Sequence, residues 1–76
     1  MSKMIGILVD DRKFVISRRT LDLNPDFPIT ELLSGTKTIG VFPYIEFVND
    51  NTFIIDTDPT IFEKVVQSLR QMSKIF

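Results

Sequence analysis

The sequence contains no cysteine and no histidine among its 76 residues. These absences exclude disulfide bonds, thiolate nucleophiles, imidazole acid–base catalysis and the usual zinc sites. A disulfide-stabilised secreted mini-protein is therefore excluded, and a reducing compartment is compatible with the composition. No apolar run approaches the roughly 18 residues of a membrane-spanning helix, and residues 1–11 lack the apolar segment of a signal peptide. We predict a cytoplasmic protein that does not enter a membrane, with the nucleus as an alternative location.

The remaining composition is that of a small folded domain. Hydrophobic residues make up 43% of the chain and charged residues 25%, which is ordinary for a globular protein. A domain near this size buries only about 60% of its unfolded surface, so we expect a small free energy of unfolding. The net charge of −1 argues against strong, general binding of nucleic acid. We expect a single domain over residues 1–76.

Two short apolar segments near the N-terminus predict a β-hairpin. The first runs from Met4 to Val9 and the second from Lys13 to Ser17, with the sequence Asp-Asp-Arg between them. Phe14 and Ile16 alternate along the second segment. We therefore expect these two side chains on one buried face of the sheet.

Capping residues predict two short helices after the hairpin. Ser17 is a favourable N-cap for the first helix. The second helix has Asp26 or Phe27 as its N-cap and Pro28 in its first turn, where the missing N–H costs nothing. Gly35 is placed to end this helix.

The second half of the chain predicts a loop over residues 36–43, two strands around the turn Asn-Asp-Asn, and a long final helix. Asp58 is the expected N-cap of this helix and Pro59 its first residue. Its predicted apolar stripe consists of Ile61, Phe62, Val65, Val66, Leu69 and Met72. The predicted fold class is α/β (α+β), with the element order β-β-α-α-β-β-α.

Three segments of the chain carry a resemblance to a known family. They are FVISRRTL at residues 14–21, NPDFPITELLSG at residues 24–35 and FIIDTDPTIFEKVVQSLR at residues 53–70. In this order they resemble the potassium-channel tetramerisation class of the BTB/POZ domain. That class occurs in the cytoplasmic tails of voltage-gated potassium channels and in the soluble KCTD proteins.

The resemblance implies a protein–protein interaction module that assembles with itself as a homo-tetramer or homo-pentamer. Soluble relatives often act as substrate adaptors for cullin-type ubiquitin ligases, which makes a cullin scaffold a second implied partner. The family normally continues through further C-terminal helices, so the resemblance implies either a trimmed chain or a minimal member. No catalytic constellation is present, and we expect no enzymatic activity, no cofactor, no bound metal and no small-molecule substrate.

Charged residues give the candidate oligomer interface. Arg18 and Arg19 fall in the first turn of the helix after Ser17. Cations there oppose the helix dipole at a cost of about 0.3–1 kcal/mol each, which carboxylates of the next copy would offset in a ring. The predicted interface residues are Arg18, Arg19, Asp22, Asp26, Asp56 and Asp58.

Two further surfaces have alternative interpretations. Phe42, Tyr44 and Phe47 either anchor a partner protein or fill the core, and the same two alternatives apply to the nearby Phe53. The basic cluster at residues 12–19 gives the alternative function, a small nucleic-acid-binding module.

Overall fold

The computed structural model describes residues 3–75, with side chains as far as residue 71. Within these residues the chain forms a small α+β domain, in which a four-stranded sheet is combined with three α-helices. The elements are β1 (Met4–Val9), β2 (Arg12–Ser17), α1 (Arg18–Asp22), α2 (Pro28–Ser34), β3 (Ile45–Asn49), β4 (Thr52–Ile55) and α3 (Pro59–Ile75). The predicted fold class and element order are confirmed. The loop predicted over residues 36–43 contains one 3₁₀ turn at Ile39–Val41.

The sheet has the strand order β2-β1-β4-β3. β1 is antiparallel to β2 and parallel to β4, and β3 is antiparallel to β4. Because β1 and β4 run in the same direction, Asp10 and Asp56 follow their strands at the same end of the sheet. α1 begins at the other end, where the N–H of Arg18 donates to the C=O of Lys3 at 2.7 Å. The six residues of β1 separate the two ends by about 20 Å.

The hairpin between β1 and β2 turns without glycine. Asp10 has a φ of 55° and is the one non-glycine residue with positive φ in the part of the chain that the structure describes. Aspartate is enriched several-fold over other residues in this left-handed region, because its short side chain can hydrogen-bond locally. The predicted hairpin therefore turns at Asp10 and Asp11, and β2 begins at Arg12, one residue before the predicted strand.

Helix caps lie where the sequence predicts them. The Ser17 hydroxyl accepts a hydrogen bond from the N–H of Thr20 at 3.1 Å, which fixes the start of α1. Phe27, not Asp26, is the N-cap of α2, and it supplies no side-chain hydrogen bond because it has no polar atom. Gly35 ends α2 with a φ of 80°, the left-handed conformation that glycine adopts without strain.

The core lies between the sheet and α3. Phe14 and Ile16 are buried on one face, as predicted, and the Phe14 ring meets the Phe62 ring edge to face at 5.2 Å between centroids. The described core residues are Ile5, Ile7, Val9, Phe14, Ile16, Leu21, Ile29, Ile45, Phe53, Ile55, Phe62, Val66 and Leu69.

The predicted apolar stripe of α3 is wrong for one residue, Ile61. Ile61 is 61% exposed, whereas Phe62, Val66 and Leu69 are buried. At about 100° per residue, Ile61 lies about 90° from the centre of the buried face, so it projects beyond the margin of the stripe. The side chain of Met72, the last predicted member, lies outside the described side chains.

The contribution of the α3 N-cap to stability can be tested by mutation. The Asp58 carboxylate accepts hydrogen bonds from the N–H groups of Thr60 at 2.7 Å and Ile61 at 3.2 Å. We expect Asp58→Ala to lower the free energy of unfolding by about 1 kcal/mol, because these two N–H groups lose their acceptor. Asp56→Ala is the matched control and should change the free energy of unfolding of the monomer by less than about 0.5 kcal/mol. Equal losses in urea denaturation would contradict the assigned cap.

Candidate functional site

One end of the sheet carries a concentration of carboxylates. A groove of about 340 Å³ is lined by Asp10, Glu46 and Asp56, with the Tyr44 ring beside them. All four residues are exposed. Within the described residues, none of the three carboxylates takes part in a salt bridge. This acidic end is therefore open to a cationic group from another molecule.

The opposite end of the sheet is basic. Lys3 precedes β1 and Arg19 lies in α1, and both side chains are exposed. Arg18 has a carboxylate partner on its own helix, since its Nε donates to Oδ1 of Asp22 at 2.9 Å. Asp22 of the same chain thus offsets the unfavourable interaction of Arg18 with the helix dipole. The hypothesis from the sequence assigned this role to a carboxylate of the next copy. Among the predicted interface cations, Arg19 is the one that has no salt bridge within residues 3–71.

The structure divides the predicted interface residues between these two ends. Arg18, Arg19 and Asp22 lie together in α1, at the basic end. Asp56 and Asp58 lie together at the joint between β4 and α3, at the acidic end. Asp26 is exposed in the connection between α1 and α2. These residues therefore do not form one patch on a single copy, but two separated patches of opposite sign plus Asp26.

The predicted docking aromatics differ in burial. Phe42 is partly buried against the core, and its ring meets the Tyr44 ring edge to face at 6.1 Å. Tyr44 is 44% exposed and Phe47 is 56% exposed, whereas Phe53 is buried. The Phe47 ring nevertheless contacts Phe53 at 5.9 Å between centroids. The core interpretation therefore holds for Phe53, while Tyr44 and Phe47 present aromatic surface to solvent.

Sequence reasoning missed two members of the acidic end, Asp10 and Glu46. Asp10 lies in the turn of the predicted hairpin, and Glu46 lies in a predicted strand without any assigned role. Both belong to the groove because β1 pairs with β4 and β4 pairs with β3. The turn Asn-Asp-Asn indicates the pairing of β3 with β4, but no short-range pattern in the sequence reports the pairing of β1 with β4.

The basic cluster at residues 12–19 is partly neutralised. Arg12 donates to Oε1 of Glu63 at 3.2 Å, and its guanidinium lies 4.9 Å from the centre of the Phe14 ring. Arg18 is bound to Asp22. Two of the four cations in the cluster thus already have acidic partners, which weakens it as a phosphate-binding surface.

The described residues contain neither a membrane-spanning helix nor a cluster of metal ligands. None of the helices within residues 3–75 combines the length and apolarity needed to cross a membrane. The same part of the chain holds no group of three or more histidine, cysteine, aspartate or glutamate side chains arranged to bind a metal ion.

In comparisons with known proteins, no family model and no curated protein matches this chain.

Proposed function

We propose that the chain is a self-associating interaction domain of the BTB/POZ tetramerisation type, which acts by binding and not by catalysis. The observation that carries this proposal is the separation of charge along the sheet. Asp10, Glu46 and Asp56 line a groove at one end, and Arg19 and Lys3 are exposed at the other.

The position of the two patches favours a head-to-tail contact. Patches of opposite sign about 20 Å apart cannot neutralise each other within one copy at physiological salt, where the Debye length is about 8 Å. The basic end of one copy can instead meet the acidic end of the next. Such a heterologous contact builds a closed ring if the rotation between copies closes. In this arrangement Arg19 enters the groove that contains Asp56 and Tyr44, where a guanidinium can bind a carboxylate and stack on an aromatic ring.

The three segments of family resemblance give the ring its expected size. FVISRRTL contains α1 as far as Leu21 and FIIDTDPTIFEKVVQSLR contains the joint of β4 and α3, so the resemblance includes Arg19 and Asp56 of the proposed contact. A homo-tetramer or homo-pentamer follows from the resemblance. So does a cytoplasmic role in which the ring presents bound proteins, including to a cullin scaffold. This last role rests on family analogy alone.

Reversal of charge at the two ends tests the head-to-tail contact. We expect Arg19→Glu and Asp56→Lys each to lower the solution mass measured by light scattering, because each places like charges at every contact. The double variant should recover the mass of the unmodified chain, since every contact then has a reversed ion pair. Charge pairs at interfaces couple by about 1.5–7 kcal/mol in favourable cases, enough to change the oligomer population completely.

Lys64→Glu is the control for this experiment. It makes the same change of charge at an exposed position of α3 that faces away from the core, and the mass should not change. Loss of assembly in the double variant as well as in both single variants would contradict pairing between residues 19 and 56.

A further inference from the structure

The two edges of the sheet differ in how their backbone groups are covered. β2 forms one edge, and the bond from Arg18 N–H to Lys3 C=O sets the alternation of its hydrogen bonds. By this alternation the N–H and C=O of Val15 point away from β1. The Val15 carbonyl accepts a hydrogen bond from the Arg70 side chain at 2.8 Å. A side chain of α3 therefore covers one outward carbonyl of the β2 edge.

β3 forms the other edge, and its outward backbone groups can be assigned in the same way. The N–H of Asp56 donates to the C=O of Tyr44 at 2.9 Å, so Glu46 exchanges hydrogen bonds with β4 and Phe47 does not. The N–H and C=O of Phe47 consequently point away from the sheet. The nearby N–H of Ile45 is already bonded to the C=O of Phe42 at 3.0 Å.

The β3 edge also lacks most devices that prevent edge pairing. The strand contains no lysine and no proline, and its single charge is Glu46. Phe47 is 56% exposed and Val48 47% exposed, so both faces of the strand carry apolar surface at the edge. A bulge is present between Phe47 and Asn49, with Val48 as the extra residue that has no partner on β4. It leaves Ile45 to Phe47 in regular register.

We propose that the β3 edge pairs antiparallel with the β3 edge of a second copy, about a two-fold axis at Phe47. In this register each Phe47 N–H donates to the Phe47 C=O of the other copy, as in a hydrogen-bonded antiparallel pair. The two sheets become one continuous sheet. The two Phe47 rings lie side by side on the face that already holds Phe53.

The single charge of β3 selects this register and fits a second copy. With Phe47 on the axis, Glu46 lies opposite Val48 of the other copy, and no two carboxylates face each other. A two-fold axis at Glu46 would place the two Glu46 side chains directly opposite, where like charges are destabilising. The Phe47-centred pair is therefore the one that satisfies both the outward backbone groups and the charge.

This contact closes as a dimer, and Glu46 is the residue that it shares with the proposed ring contact. A two-fold contact uses the β3 edge of both copies, so it leaves no free β3 edge to which a third copy could add. Arg19 and Asp56, which carry the ring contact, are not part of the pair. The ring is therefore tested at residues 19 and 56, and the β3 pair is tested at residues 47 and 48, so that the two results can be distinguished.

Opposite charges at residue 48 test the register directly. Val48→Lys places two Lys–Glu46 pairs across the axis, and Val48→Glu places two carboxylate pairs there. We expect the concentration of half-association, measured by sedimentation, to differ about tenfold or more between the two variants, with the lysine variant the tighter. The variants lose the same valine and differ only in the sign of charge. Equal association of the two variants overturns the proposal. So does the absence of association in both variants and in the unmodified chain.

Cysteine cross-linking supplies a second, independent measurement, because the chain has no cysteine of its own. Phe47→Cys places one thiol at the axis, and Val15→Cys places one on the covered β2 edge at an exposed position. With a short bis-maleimide, we expect a covalent dimer from Phe47→Cys and monomer from Val15→Cys. Equal yields from the two variants, or no dimer from Phe47→Cys, contradict the paired edge.

Discussion

Phe62→Ala should lower the free energy of unfolding by about 3–5 kcal/mol, because a large buried ring is replaced by a cavity. Phe62 is 5% exposed and contacts Phe14 edge to face. A chain of 76 residues has a total stability of about 4–11 kcal/mol. We therefore expect this variant to be largely unfolded near physiological temperature, with a loss of helical signal in circular dichroism.

The adjacent residue supplies the control. Ile61 lies beside Phe62 in the first turn of α3, but its side chain is 61% exposed. Ile61→Ala should change the free energy of unfolding by less than about 0.5 kcal/mol. If Ile61→Ala is as damaging as Phe62→Ala, then α3 presents a different face to the sheet from the one described.

The second large effect is expected at Leu21, which is fully buried and anchors α1. α1 has five residues, which is far too short to be stable as an isolated helix. Leu21→Ala should cost about 2–5 kcal/mol in urea denaturation, because both the transfer free energy and the packing of α1 are lost.

Arg19 lies on the same helix as Leu21, and Arg19→Ala should affect self-association without affecting the stability of the fold. Arg19 is exposed and makes no salt bridge among residues 3–71. Its replacement should leave the free energy of unfolding of the monomer within about 0.5 kcal/mol of the unmodified value while weakening self-association. A large loss of monomer stability would show that Arg19 supports the fold. It would contradict the proposed role of Arg19 in the contact between copies.

Helix caps and strand faces could be predicted because their causes are local. Ser17 bonds to a backbone group three positions away, and Asp58 bonds to groups two and three positions away. The pairing of Arg18 with Asp22 also has a local signal, since residues four apart on a helix are neighbours. This spacing was readable from the sequence, but the hypothesis assigned the partner of Arg18 to another copy.

The acidic end could not be predicted in the same way. It depends on the parallel pairing of β1 with β4, which joins Gly6 to Thr52 across the intervening helices and β3. Parallel pairing leaves no turn signal next to either strand, because the connection is long. The sequence therefore indicated charged residues at the strand ends without showing that Asp10 and Asp56 share one end of the sheet.

Self-association of this domain can be tested by its mass in solution. We would measure the mass of the unmodified chain by light scattering after size exclusion, over about a hundredfold range of concentration, because assembly depends on mass action. We expect a mass of four or five subunits, or an even multiple if the β3 edges also pair. A monomer that persists over the whole range would contradict both contacts and the proposed function with them.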